Sequence, residues 1–316
     1  MERLKKFDIK KVASIAGSIL MIASFFFIGM RLSEMWGEIN FYILASAGTI
    51  ALLFMVAVGE GFNVLLVAEN FRWLVKDLSK LTISRALVMK VYNNANLFKY
   101  IPGGFMYIVG RNKLALEVDE LSHKKVVLST AIEGVLWAVS ALILSMVYAF
   151  DHFIYYISQL DLRLIWLALG IVVLIGTPLL YKFRNRIKDK IEGLRIIIVV
   201  KRLATMLVIV NFWGVSFLAT MTILGQPFSL NLGVTIIGIF IMSWLIGFLT
   251  PGAPSGLGIR EIVLLMFLSG IVYEDILLSA IIIHRLLQVC GDIVAYGIAW
   301  SYARIKLKDE LSEEIN

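Results

Sequence analysis

The chain has 316 residues, of which 59% are hydrophobic and only 17% charged, with a mean hydropathy of +0.86 and a net charge of +7. Soluble domains carry about 45–50% apolar and about 25% charged residues, so this chain holds more apolar surface than a water-solvated core can hide. That excludes a soluble enzyme, a disordered chain and a secreted disulfide scaffold. The single cysteine, Cys290, lies in an apolar stretch and reads as a packing residue.

About 20 apolar residues make a helix long enough to span the hydrocarbon core. In chain order, such stretches fall at 12–30, 41–68, 126–150, 162–181, 203–224, 231–250 and 276–302. The first is too long for a signal peptide and lacks a small-residue cleavage site, so it is expected to be retained. Two segments are ambiguous: 83–101, which carries Lys90, Asn93, Asn94, Asn96 and Lys99, and 256–272, which follows a Pro/Gly cluster. The basic connectors 182–202 and Phe71–Leu81 read as interfacial amphipathic helices. The polar stretch 309–316 reads as a loose tail.

The positive charge is a topology signal. All but five of the 30 Lys and Arg residues lie at 1–11, 69–85, 111–125, 182–202, 260 and 303–316. The exceptions are Arg31, Arg163, Lys90, Lys99 and Arg285. The positive-inside rule then places both termini in the cytoplasm, and an even number of crossings follows. The expected fold is an all-α polytopic integral membrane protein. It has about eight transmembrane helices, with 256–272 as the eighth, and one re-entrant helical hairpin at 83–101. The localisation expected is the cell (plasma) membrane, with a single transmembrane domain over 1–308.

Two segments resemble one another. One is Pro102-Gly103-Gly104 leading to Arg111; the other is Pro251-Gly252-Ala253-Pro254 leading to Arg260 and Glu261. In each, the arginine follows the first proline by nine residues, and a long helix with an internal charge comes next: Glu133 in one, Arg285 in the other. Pro and Gly break a helix and free backbone groups, which at membrane depth must face protein or a cavity. Paired breaks of this kind point to a transporter site and to an inverted repeat, here with halves of about 41–150 and 203–302. The four residues Pro102, Gly103, Pro251 and Gly252 are expected to line the cavity, and Arg111 and Arg260 to meet an anionic group such as phosphate.

Charged residues inside membrane segments are costly, so each is a candidate. These are Glu60 in the second stretch, Glu133, Lys99 with Asn94, and the set Arg285, Gln288 and Asp292. That set is spaced i, i+3, i+7 and so shares one helix face. Arg111, Arg260 and Arg285 are expected to hold phosphate. Glu133, Glu60 and Asp292 are expected to balance charge or accept an amine. Pairing of Glu133 with Arg111 or Lys99, and of Asp292 with Arg285 or Arg260, is the structural alternative. Nothing in the sequence marks a metal or cofactor site, a catalytic centre or a nucleotide-binding loop. Glu34 and Glu38, one helical turn apart, are the only hint of an outward-facing enzyme.

The segment Asn94–Arg111, NANLFKYIPGGFMYIVGR, resembles the first signature of the lysylphosphatidylglycerol synthase transmembrane (flippase) family. Thr250–Glu261, TPGAPSGLGIRE, is similar to its second. Glu133 and Trp137 resemble the family's acidic-x-x-x-Trp helix, and His284-Arg285 falls where a late helix carries a polar pair. The resemblance implies a stand-alone member lacking the soluble aminoacyl-transferase domain. Such a member is not an enzyme, and it translocates or binds a phospholipid with an anionic or aminoacylated headgroup. The alternative is a membrane component of lipid-linked, polyprenyl-phosphate glycan or cell-envelope biosynthesis. The expected partners are membrane lipid, a second copy of the chain or envelope-biosynthesis enzymes, and no nucleic acid.

Overall fold

The computed structural model describes residues 46–101, 106–159, 196–227, 229–250, 256 and 258–315. About 88% of these are helical, and none lies in a strand. The elements are α1 (Ala47–Ser79), α2 (Arg85–Leu97) continued by a 3-10 turn (Phe98–Tyr100), α3 (Met106–Arg111) and α4 (Leu114–Glu117). They continue as α5 (His123–Gln159), α6 (Ile196–Ile223), α7 (Leu230–Leu249), α8 (Ile259–Leu268) and α9 (Glu274–Ile315). Five helices, α1, α5, α6, α7 and α9, are long and apolar enough to cross a membrane.

The surface has the inverted pattern of a lipid-solvated protein. Phe54, Met55, Phe62, Leu66, Val147 and Val208 are more than half exposed on spanning helices, whereas Glu60, Asn63, Glu133, Arg111 and Asp292 are buried. Water does not tolerate such a continuous apolar face, but hydrocarbon does. Cys290, expected to pack, is exposed on α9. An apolar run in a spanning helix does not mark the interior, because the solvent outside is equally apolar.

The five long helices pack around one another, α9 against α1 and α5 against α7, with α6 touching α1, α5 and α7. At the α1–α9 crossing the backbones meet through Gly61 and Gly291. A Cβ on Gly291 would stand 2.6 Å from the Cβ of Glu60 and 2.9 Å from the nitrogen of Gly61. Polar side chains tie other crossings. Asn63 donates to the carbonyl of Ile209 at 3.1 Å, and the Tyr148 hydroxyl donates to Asn211 Oδ1 at 2.8 Å.

The expected interfacial helix at Phe71–Leu81 is instead the end of α1. Thirty-three residues make a rod of about 50 Å, longer than the ~30 Å hydrocarbon core, so the same helix continues beyond it. Its inner face (Phe71, Leu74, Val75, Leu78) stays buried, because α2 packs there. Glu69 gathers the basic residues at this end, bonding Arg72 at 2.6 Å and Arg85 at 3.0 Å. The helix stops at Lys80, which takes a left-handed φ of 65°.

The ambiguous segments are both short helices. Residues 83–101 form α2 and its 3-10 turn, enclosed by α1, α3 and α9. Residues 256–272, expected as a full crossing, contain only α8. Its ten residues give about 15 Å, half the hydrocarbon thickness. Gly258 and Gly270, at φ 83° and 82°, lie just outside its two ends, where a side-chain-bearing residue would be strained. The tail expected to be loose continues α9 as helix to Ile315. The expected stretches 12–30 and 162–181, the connector around 182–195, and Glu34 and Glu38 lie outside the described residues.

One cap gives a direct stability test. The Ser229 side chain accepts from the backbone N–H of Leu232 at 3.3 Å at the start of α7. Ser229→Ala should lower stability by about 1 kcal/mol, read as a reduced melting temperature of the detergent-solubilised protein.

Candidate functional site

A cavity of about 490 Å³ lies between the short and the long helices. It is large enough for a small-molecule or lipid headgroup. Residues from both Pro-Gly segments line it. Lys99, Tyr100, Tyr107 and Arg111 flank the first break; Gly247, Thr250, Gly256 and Arg260 flank the second. The break residues Pro102, Gly103, Pro251 and Gly252 themselves lie outside the described residues.

Of the residues singled out in the sequence, Arg111, Arg260, Glu133, Glu60, Asp292, Lys99 and Gln288 line this one cavity. Arg285 and Glu261 do not. They form an ion pair with each other beside it, and Arg285 reaches the carbonyl of Gly256 at 3.4 Å. Asn94 is also absent from the lining; Asn96, two residues on, takes its place.

The charges sort into three groups. In the first, Arg111 is buried against Glu133 as an ion pair. It also donates to the Tyr92 hydroxyl at 2.7 Å, and that hydroxyl donates to the other Glu133 oxygen at 3.0 Å. The Arg111 guanidinium lies 4.1 Å from the Tyr92 ring centre and 5.0 Å from that of Tyr107. This arginine is therefore committed: it holds α3, α5 and α2 together.

In the second group, Asp292 on α9 receives three side chains from the end of α2. Lys99 stands 2.7 Å away, Asn96 donates at 2.8 Å, and the Tyr100 hydroxyl donates to the other oxygen. The expected partner of Asp292, Arg285 or Arg260, is replaced by Lys99. Lys99 was a candidate on the re-entrant segment, and the packing of α2 on α9 brings it to Asp292.

The third group has Arg260 and Glu60. Arg260 is 6% exposed, yet among the described residues it has no carboxylate within 4.0 Å. Its nearest polar partner is Gln288 Oε1 at 3.5 Å; its Nε is buried without a partner, and its guanidinium lies 5.3 Å from the Phe240 ring centre. Gly247 makes room for it, since a Cβ there would stand 2.7 Å from Arg260 Cγ. Glu60 is 2% exposed and accepts from Ser216 Oγ. Behind it, His284 Nε2 stands 3.9 Å from the carboxylate, beyond hydrogen-bond reach, while Nδ1 faces Thr220 Oγ1 at 3.2 Å.

Trp137, Trp213, Trp244 and Phe248 form an aromatic wall. Trp137 stacks on Trp213 at 4.4 Å and Trp244 on Phe248 at 5.0 Å. Sequence reasoning missed this wall and the tyrosines Tyr92 and Tyr100. The signal available was slight: Trp137 follows Glu133 by one helical turn, and Tyr100 precedes a break. No protein-family model matches the chain, and no curated protein matches it.

Proposed function

We propose that the chain is a lipid-handling membrane protein that binds, and passes across the bilayer, a phospholipid. The headgroup occupies the cavity between the two broken segments, while the acyl chains stay in hydrocarbon. The observation that carries this reading is Arg260: a buried guanidinium, free of any carboxylate among the described residues, opening into a cavity that both break flanks line. Arginine presents a forked donor array that matches phosphate.

The remaining topology follows from the same reading. The long apolar helices cross the membrane, and α2–α3 re-enter from the side that carries the basic residues. The order of break, short helix and long charged helix recurs as α3–α5 and α8–α9. That recurrence supports an internal repeat. The protein carries lipid without chemically converting it.

Reconstitution tests the reading. Proteoliposomes with fluorescent phospholipid in the inner leaflet should expose it to an external quencher faster than protein-free vesicles. Arg260→Gln should slow that transfer about tenfold, the equivalent of one lost charge-assisted contact worth about 1.4 kcal/mol. Equal rates with and without protein, or an unaffected Arg260→Gln variant, reject it. Mass spectrometry of co-purified lipid supplies a second readout. Polyprenyl phosphate in place of phospholipid would reassign the protein to lipid-linked glycan synthesis.

A further inference from the structure

Charge bookkeeping in the cavity narrows the headgroup. Three basic residues (Lys99, Arg111, Arg260) and three acidic ones (Glu60, Glu133, Asp292) line it, so the described lining is balanced. Two pairs are closed: Arg111 with Glu133, and Lys99 with Asp292. What remains is one cation, Arg260, and one carboxyl group, Glu60, that do not reach each other. No ion pair joins them within 4.0 Å, although both line the same space. Arg260 lacks an anion, and the Glu60 carboxyl group has only the Ser216 hydroxyl within hydrogen-bond reach. An anion alone meets Arg260 and leaves Glu60 without a partner of opposite charge. A ligand bearing both signs satisfies both.

We infer that the cavity selects a net-neutral, zwitterionic headgroup, with its phosphodiester on Arg260 and Gln288 and a primary ammonium on Glu60; this rests on the lipid-binding reading above.

The ammonium is primary for two reasons. The Glu60 carboxylate already accepts from Ser216, so it is an acceptor placed to take N–H donors, which a trimethylated nitrogen lacks. Quaternary ammonium is usually held against open aromatic faces. The rings of the aromatic wall stack on one another, Trp137 with Trp213 and Trp244 with Phe248.

The test is direct binding to the purified full chain in detergent. The lipids are phosphatidylethanolamine, phosphatidylglycerol and phosphatidylcholine of identical acyl chains, and glycerophosphoethanolamine serves as a soluble competitor. Phosphatidylethanolamine should bind at least tenfold tighter than either of the other lipids. Glu60→Gln, which keeps the shape and an acceptor oxygen for Ser216, should erase that preference and leave phosphatidylglycerol binding unchanged. Arg260→Gln should weaken both lipids about tenfold. Competition by glycerophosphoethanolamine at concentrations matching the lipid would mean that the same chemistry serves a soluble ligand; weak competition assigns it to the lipid. Binding of phosphatidylglycerol as tight as phosphatidylethanolamine in the unaltered protein overturns this inference while leaving the lipid-binding reading standing. Failure of all three lipids to bind removes both. The comparison within the unaltered protein holds even if a variant folds poorly.

Discussion

Arg111→Ala should destabilise the protein by about 3–5 kcal/mol, the usual cost of removing one member of a buried ion pair. The loss leaves Glu133, 2% exposed, facing only the Tyr92 hydroxyl inside the bundle. It also opens the space between the rings of Tyr92, Tyr107 and Phe71 that the guanidinium fills. The paired variant Arg111→Met with Glu133→Leu removes both charges and keeps the volume, so it should recover most of the loss. Thermal unfolding of the unaltered protein, Arg111→Met, Glu133→Leu and the double variant in one detergent completes the double-mutant cycle. Equal melting temperatures for Arg111→Ala and the unaltered protein would show that the pair contributes nothing to the fold. Arg111 is tied into the architecture by Glu133 and Tyr92, whereas Arg260 has no carboxylate partner among the described residues.

Gly291→Ala should cost about 1–3 kcal/mol, in the range of overpacking a tight interior. The added Cβ meets Glu60 Cβ at 2.6 Å, the nitrogen of Gly61 at 2.9 Å and the carbonyl oxygen of Ala57 at 3.1 Å. Two of those three atoms are backbone, so no side chain can rotate out of the way and α1 must move off α9. Gly297 lies on the same helix with nothing within 4 Å of its missing Cβ. Gly297→Ala should therefore be neutral or stabilise by up to about 1 kcal/mol, since alanine favours helix. Comparable losses at both positions would mean that the cost does not come from the α1–α9 crossing.

Much of this architecture was legible in the sequence. Five expected stretches become long apolar helices, and the Glu133–Arg111 pair was one of two partnerships the spacing allowed. Arg285, Gln288 and Asp292 share a face of α9, as an i, i+3, i+7 pattern requires. Gln288 and Asp292 reach the cavity, while Arg285 turns to Glu261. Helical periodicity fixes a face but not the neighbour that face will meet. The same limit explains Lys99: its distance from Asp292 along the chain is nearly 200 residues, and only the packing of α2 on α9 joins them. Composition also could not tell inward from outward. In water, an apolar residue beside a polar one points inward; in lipid both directions are apolar, so Cys290 fell on the unexpected side and nothing marked the tryptophan wall. The half-length of α8 was hidden for a related reason. Its apolar run continues through the turn at Gly270, so hydropathy does not register the break that the left-handed backbone makes.

The contact between Gly61 and Gly291 has a consequence for the cavity itself. Glu60 precedes one of these glycines and Asp292 follows the other, so the two carboxylates ride on backbones that touch. The spacing of their backbones is set by the main chain, and for the proposed headgroup it acts as a fixed gauge. Size and charge thereby become independent dials. Exchanging Glu60 for glutamine resets the charge and leaves the gauge alone, while a methyl at either glycine resets the gauge and leaves every charge in place.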